Sequence, residues 1–379
     1  MRHDFLNRVR RGLFTVGIVV SAVLPIASHA SQLGDLAATV QPGQFKALNT
    51  GNFNLNGVAG GIIVPPGGSG SILEYTDEAL RNPVTKKIYI IGCARSDGGD
   101  YSCASSDSSD SRWIEYDEAS NSWKTMGGTP FSITHHAYDH AALDPATGDY
   151  YYRVESSRSV WRYSAGVWSR LPDMPAPGPC CGALEYFPDL GGLVFADPLN
   201  GGGQFYLYRP GGSGWQTLPG GIHFGEYHNF AEYSAIHKVL LIGGGVNGDR
   251  VLIRMDSSGK VTRAADAPVS LGTGTCGAVQ TIDPISGNLV VFHCNRNIYS
   301  YNPASNTWAQ HGTHSLPDDY GNLLVAAVPV TELGVIFLVR GGGQGPSSSS
   351  AVYLYKHSAG SPPVSDLTPP SAPTGLKVQ

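Results

Sequence analysis

The segment Tyr116-Asp-Glu-Ala-Ser-Asn-Ser-Trp123 has two further near-copies, Tyr208-Arg-Pro-Gly-Gly-Ser-Gly-Trp215 and Tyr301-Asn-Pro-Ala-Ser-Asn-Thr-Trp308. Each copy has the pattern of a strand end, a turn rich in Gly, Pro, Asn or Ser, and a second strand that opens with Trp. Two degenerate copies end at Trp168 and Val261, so the series 123, 168, 215, 261 and 308 advances by 45, 47, 46 and 47 residues. A repeat of this period predicts four-stranded units, each too small to bury its apolar faces alone, that pack side by side.

The predicted fold is an all-β, six-bladed β-propeller of four-stranded antiparallel blades that covers residues 31–358. The last blade has inner strands at 335–338 and 352–355, but no Trp strand follows them. We expect an N-terminal strand around Phe45 to supply the missing outer strand, because this closure removes an exposed sheet edge. A seven-bladed propeller is the alternative, if residues 48–78 contain another blade.

Residues 1–30 have the pattern of a signal peptide. A basic start is followed by the apolar run 12–27 and by Ser28-His-Ala30, a small-x-small triplet typical of a cleavage site. We therefore expect a secreted, periplasmic or cell-surface protein with no membrane insertion. Without these residues the chain has 21 basic and 29 acidic residues, a net charge of −8. Because such a surface repels phosphate backbones and anionic lipid, nucleic acid and membranes are not expected as partners. We also expect a monomer.

The Tyr-x6-Trp spacing, together with glycine runs at 243–245 and 341–343, resembles kelch repeats and the propeller domain of the galactose-oxidase group. The resemblance covers about residues 40–357 and implies the propeller fold. It does not specify a function, because propellers serve in binding, scaffolding and catalysis alike. Residues 359–379 form a Pro/Ser-rich linker, and the end of this linker resembles the first strand of a fibronectin type III module.

One face of such a propeller carries the loops that enter each inner strand and the loops that join the second and third strands of each blade. In this sequence those loops are long, whereas the turns of the opposite face are short. Because loops on a rigid scaffold commonly carry function, we expect the site on this loop-rich face, around the mouth of the central channel. The predicted ligand-binding residues are His136, Tyr138, Cys180, Cys181, Glu226, Asn229, Asp319 and Tyr320.

We expect the loop-rich face to bind an extracellular ligand, a glycan or a protein, through Tyr, His and Asn side chains. The alternative is a carbohydrate-active enzyme with His140, Tyr227 and His228 as catalytic candidates. A polysaccharide lyase would use a His–Tyr acid–base pair such as His140 and Tyr227. Tyr227-His228 ahead of residues 238–245 also resembles the metal-binding segment of copper-radical oxidases, which implies copper at Tyr227 and His228. The residues themselves predict no other cofactor.

The six cysteines form an even number in a chain with a predicted export signal, so disulfides are expected. Cys276 and Cys294 are equidistant from residue 285 in the turn between their strands, and Cys93 and Cys103 are equidistant from residue 98. Both pairs are predicted to be disulfides that close loops. The adjacent pair, Cys180 and Cys181, is open to a vicinal disulfide, to two free thiols or to links elsewhere.

Overall fold

The computed structural model of the chain describes residues 31–53, 61–63, 71–74, 76, 78–93, 111–133, 137–176, 182–198, 203–245, 249–272, 277–316, 318–319, 322–323, 325–341 and 350–361. The predicted export signal and most of the predicted C-terminal linker lie outside these ranges. The described residues are almost entirely strands and turns, with one short helix, α1 (Gln32–Ala37), and four single-turn 3-10 helices. None of these helices has the length and apolar character that a membrane span requires.

Six antiparallel sheets of four strands each form the blades. In chain order they are blade 1 with β2 (Leu80–Asn82), β3 (Lys87–Cys93), β4 (Ser111–Asp117) and β5 (Ser122–Thr125); blade 2 with β6 (Ala141–Leu143), β7 (Tyr150–Arg153), β8 (Val160–Ser164) and β9 (Val167–Arg170); blade 3 with β10 (Ala183–Phe187), β11 (Gly192–Asp197), β12 (Gln204–Tyr208) and β13 (Trp215–Leu218); blade 4 with β14 (Asn229–Ser234), β15 (Val239–Gly244), β16 (Leu252–Asp256) and β17 (Val261–Arg263); blade 5 with β18 (Ala278–Ile282), β19 (Leu289–His293), β20 (Asn297–Asn302) and β21 (Thr307–Thr313); and blade 6 with β24 (Val325–Val330), β25 (Val335–Arg340), β26 (Ala351–Tyr355) and β1 (Phe45–Ala47). A separate two-stranded hairpin pairs β22 (Asp318–Asp319) with β23 (Asn322–Leu323).

The inner strands form a closed ring. Each of β2, β6, β10, β14, β18 and β24 contacts the inner strands of the blades on either side, and β24 contacts β2. The predicted six-bladed propeller is therefore confirmed, and the seven-bladed alternative is wrong. The described part of residues 48–78 contains 3-10 turns at Gly61–Ile63 and Ile72–Glu74 in place of a further blade.

Strand β1 closes the ring as predicted, because it forms the outer strand of blade 6 by pairing with β26. Phe45 lies opposite Tyr355 in this ladder, and the two rings stack with centroids 4.3 Å apart. Helix α1 precedes the closing strand, and Ser31 caps its N-terminus through a hydrogen bond from the Gly34 amide (3.1 Å). Leu33 of this helix is fully buried with the apolar residues of blades 1 and 6.

The repeated Tyr and Trp lie opposite each other on the two outer strands of their blades. Tyr301 faces Trp308 with ring centroids 5.2 Å apart, and the Tyr301 hydroxyl donates to Asn306 Oδ1 (2.7 Å). Asn306 has the left-handed φ of 55° that this turn requires. The indole N–H of Trp308 donates to the carbonyl of Ala265, 43 residues earlier and therefore in the preceding repeat (2.9 Å). The repeat unit thus forms the joint between neighbouring blades.

Blades 1 and 6, where the two ends of the propeller meet, are joined by ion pairs. Arg81 of β2 donates to Glu118 of blade 1 and to Glu332 of blade 6, in both cases at 2.6 Å. Lys86 forms a second ion pair with Glu332. The closure of the ring therefore combines strand pairing with charge pairing.

Candidate functional site

The channel mouth on the loop-rich face lies where inner strands β6 and β14 begin. Tyr138 and His140 precede β6 in blade 2, and Tyr227 and His228 precede β14 in blade 4. The rings of Tyr138 and His228 contact each other, with centroids 4.5 Å apart and planes inclined by 56°. Because blade 3 separates these two blades, the contact spans the mouth. The structure therefore brings together residues that the sequence assigned to the same site.

Tyr227 and His228 adopt left-handed backbone conformations one after the other, with φ of 64° and 53°. A left-handed conformation costs a non-glycine residue about 1–2 kcal/mol, so such residues persist only where their surroundings hold them. Strained backbone of this kind is concentrated at functional sites. The turn is therefore the strongest local indication of a site at the mouth.

Two features of the same blade hold this turn. The Asn229 amide is buried and donates to the carbonyls of Gly225 (2.7 Å) and Gly243 (3.2 Å). Gly244, with φ of 98°, lies so close to the turn that a Cβ on it would come within 2.3 Å of the His228 carbonyl oxygen. Only glycine fits at this position. Asn229, predicted to bind ligand, thus supports the turn with its amide.

The mouth residues differ in exposure. Tyr227 is 43 % exposed, which makes it one of four large apolar side chains that are exposed in the described part of the chain. Glu226 beside it is also exposed, and His228 is half-buried. His140 has no exposed surface and lies edge-on to Tyr152, with centroids 6.2 Å apart. A ligand at the mouth would meet Tyr227 and Glu226 first, whereas His140 belongs to the protein interior.

Carboxylates at the mouth cap main-chain amides of the inner strands. The Asp139 side chain of blade 2 accepts from the amide of Ala231 in blade 4, and its carbonyl accepts from Leu184 of blade 3 (2.9 Å). Glu78 likewise accepts from the amide of Ala141 (3.1 Å). An inner strand is a sheet edge, and a buried amide without an acceptor costs free energy. These carboxylates therefore join blades to one another around the channel.

Arg153 lies beneath the mouth and is fully buried. It donates to the carbonyl of Gly182 (2.8 Å), and its guanidinium lies 5.1 Å from the Phe195 ring centroid. Burial lowers the pKa of Arg153 to about 10, partly offset by the negative charges of Asp197 and Asp139, so it is charged at neutral pH. The sequence analysis missed this residue and Asp139. In the sequence, Arg153 could have been singled out because it follows three consecutive tyrosines, residues 150–152, in the segment that forms β7.

Several predicted site residues cannot be placed, because His136, Cys180, Cys181 and Tyr320 lie outside the described residues. Asp319 belongs to the short strand β22.

Two of the cysteines predicted to form disulfides are described, and two are not. Cys93 ends β3 and Cys294 follows β19, and no free cysteine occurs among the described residues. Their predicted partners, Cys103 and Cys276, lie outside those residues. Both pairings therefore remain predictions.

Copper at Tyr227 and His228 finds no complete ligand set in the described residues. No group of three or more His, Cys, Asp or Glu side chains suited to a metal ion occurs there. The His228 ring packs against Tyr138, and the Tyr227 side chain is exposed. These neighbours do not fit a copper centre.

No protein-family model matches the chain, and no curated protein matches it. Solved structures that resemble it include a nidogen/laminin complex (12 % identity, 62 % of this chain and 80 % of that chain, TM-score 0.45). A catalytically inactive virginiamycin B lyase from Staphylococcus aureus with quinupristin has 12 % identity, covers 83 % of this chain and 88 % of that one, and has a TM-score of 0.47. Regucalcin from Agrobacterium tumefaciens has 13 % identity, covers 75 % and 92 %, and has a TM-score of 0.45. The six-bladed propeller is established by the blades of the chain itself, and likeness at this level adds no statement about activity.

Proposed function

We propose that this propeller binds an extracellular glycan at the channel mouth of its loop-rich face. The observation that carries the proposal is the exposed Tyr227 ring on two consecutive left-handed residues. One face of many sugar rings consists of C–H groups, which pack well against an aromatic ring. Because the turn already fixes the backbone of Tyr227, little backbone entropy is lost on binding.

Polar groups beside this ring suit sugar hydroxyls. The exposed Glu226 has a carboxylate that accepts hydrogen bonds, and the half-buried His228 is the second polar residue beside the ring. A flat aromatic surface bordered by such groups is the usual composition of a carbohydrate site, in which stacking provides affinity and hydrogen bonds provide orientation. Arg153 and Asp139 support the mouth from below and are not part of the proposed contact surface.

The cellular setting of the proposal comes from the sequence. The export signal predicted at residues 1–30 supports a secreted or surface-attached protein. The linker at 359–379, with its fibronectin-like end, supports attachment to further extracellular modules. The Tyr-x6-Trp units support membership of the kelch group, which we include in the proposal.

Binding of the mature chain to a glycan array tests the proposal. We expect Tyr227→Ala to weaken the strongest interaction by roughly 10- to 30-fold, about 1.4–2 kcal/mol, as for an aromatic anchor in a binding site. Ile236→Ala is the matched control, because Ile236 is 41 % exposed in the same blade, in the β14–β15 turn of the opposite face. Equal affinities for the two variants, or no retained glycan at all, would contradict the proposal.

Catalysis by a His140–Tyr227 pair is less well supported, because His140 is fully buried while Tyr227 is exposed. The lyase alternative has its own readout. A lyase acting on acidic polysaccharides produces unsaturated uronides that absorb in the ultraviolet. If such absorbance develops with the wild-type chain and not with Tyr227→Phe, the mouth is an active site and not only a binding site.

A further inference from the structure

Two histidines meet at the seam between blades 5 and 6. His311 lies on β21, the outermost strand of blade 5, and His357 follows the end of β26 in blade 6. Their ring centroids are 4.5 Å apart, with the planes inclined by 79°. His311 is exposed and His357 is half-buried, so the pair is open to solvent on one side.

Each ring has one nitrogen held by a hydroxyl group. His311 Nε2 lies 2.7 Å from Ser300 Oγ, and His357 Nδ1 lies 3.3 Å from the Tyr355 hydroxyl. Within the described part of the chain, no hydrogen bond reaches His311 Nδ1 or His357 Nε2. This is the usual arrangement of metal-binding histidines, in which an outer hydrogen bond orients the ring and leaves the other nitrogen for the ion.

The two imidazole rings are uncharged at neutral pH, the form in which a ring nitrogen can bind a metal ion. Burial lowers the pKa of His311, and burial together with the neighbouring His311 lowers the pKa of His357 to about 4. Both rings are therefore neutral at pH 7 and have a lone pair to donate. Asp283 acts on His357 with a negative charge, and burial raises the pKa of Tyr355 to about 12, so that its hydroxyl is uncharged.

We propose that His311 and His357 chelate a divalent transition-metal ion at the seam between blades 5 and 6. An ion about 2.0–2.1 Å from one nitrogen of each ring places the two centroids roughly 4.5–5 Å apart, which agrees with the observed separation. Neutral imidazole suits Cu²⁺, Ni²⁺ and Zn²⁺, and Cu²⁺ binds most tightly in this series. Since no third His, Cys, Asp or Glu completes a cluster among the described residues, water fills the remaining positions.

The position of the pair gives the ion a structural consequence. His311 belongs to blade 5, whereas His357 follows the strand with which closing strand β1 pairs. An ion held by both histidines therefore bridges two blades next to the closure of the ring. Because the unfolded chain does not hold the two rings together, the bound ion stabilises the folded state.

The test is Cu²⁺ titration of the metal-free mature chain by calorimetry, with electron paramagnetic resonance to detect nitrogen ligands. We expect His311→Gln and His357→Gln each to bind one Cu²⁺ fewer, or to weaken that site by on the order of 100-fold. Ser300→Ala, which removes the group that orients His311, should weaken it by roughly 10-fold. The control, His223→Gln, changes an exposed histidine of another loop and should bind as the wild type does.

The same titration contains the results that overturn the proposal. Wild-type stoichiometry and affinity in His311→Gln would do so, as would a wild-type chain that binds no Cu²⁺. His311 is exposed on an outermost strand, so His311→Gln should fold and decides the question even if His357→Gln does not fold. A rise in melting temperature with Cu²⁺ that is present in His223→Gln and absent in His311→Gln is the expected accompanying result.

Discussion

At the residue scale, Glu185 is an ionisable side chain whose pKa is shifted by burial. It lies on β10, the inner strand of blade 3, and within the described residues its carboxylate accepts one hydrogen bond, from the Tyr186 amide (2.9 Å). Burial raises its pKa to about 8. The unfolded chain releases this proton at a lower pH than the folded chain does. The contribution of Glu185 to stability therefore decreases as the pH rises from about 4.5 to 8.

We predict that Glu185→Gln stabilises the protein at pH 8, because an amide has no charge to desolvate. The expected gain in the free energy of unfolding is on the order of 1–2 kcal/mol, less than the full effect of the shift because the side chain is partly accessible. Urea unfolding of both proteins at pH 5 and pH 8 measures it. The gain should shrink towards pH 5, and a gain that does not depend on pH would show that Glu185 acts by packing alone.

Strand β1 is the element on which closure of the propeller depends. Three residues pair with β26, and the Phe45 ring stacks on Tyr355 and lies 6.1 Å from the Phe292 ring of blade 5. A three-residue strand contributes few hydrogen bonds, so most of its hold on blade 6 comes from this aromatic contact.

We predict that Phe45→Ala lowers the free energy of unfolding by about 2–3 kcal/mol, somewhat less than for a fully buried phenylalanine because the ring is only half-buried. Lys46→Ala is the matched control on the same strand. Among the described residues, the Lys46 ammonium donates to Thr39 alone, at the surface, so this change should cost no more than about 0.5–1 kcal/mol. Denaturant midpoints of the two variants give the comparison, and an equal loss would mean that strand pairing, not the aromatic contact, holds β1.

At the scale of the whole molecule, the stability of the closed ring depends on the seam between blades 1 and 6, where its two ends meet. Arg81 pairs with Glu332 across this seam and with Glu118 of its own blade, and its side chain is 5 % exposed. Removal of one partner from a buried ion pair leaves an uncompensated charge, which costs more than the pair contributes.

We predict that Arg81→Met destabilises the protein by about 3–5 kcal/mol at pH 7, because the Glu118 carboxylate is left buried without its partner. Glu332 is more exposed than Glu118, so Glu332→Gln should lower the free energy of unfolding by only about 1 kcal/mol. Arg81 lowers the pKa of Glu332, so the stability from this pair is present above about pH 4.5 and is lost as the pH falls below it. Hydrogen exchange should show blades 1 and 6 opening first in Arg81→Met, and uniform exchange in all blades would contradict this account.

The six blades, their closure by the segment around Phe45 and the position of the mouth were predictable from the sequence. The turn residues and the facing Tyr and Trp specify local structure within a few positions of the chain. Their regular repetition in the sequence therefore gives the length of one blade directly. Tyr227, His228 and His140 could be assigned to inner-strand starts for the same reason.

Only the tertiary structure decided which of these residues face solvent and which residues meet across blades. Tyr227 is exposed and His140 is buried although both precede an inner strand, because exposure depends on how neighbouring blades pack around each loop. Contacts such as Tyr138–His228, Asp139–Ala231 and His311–His357 join residues 46–92 positions apart in the chain. Such pairs are set by the angle between whole sheets, and no local spacing in the sequence encodes that angle.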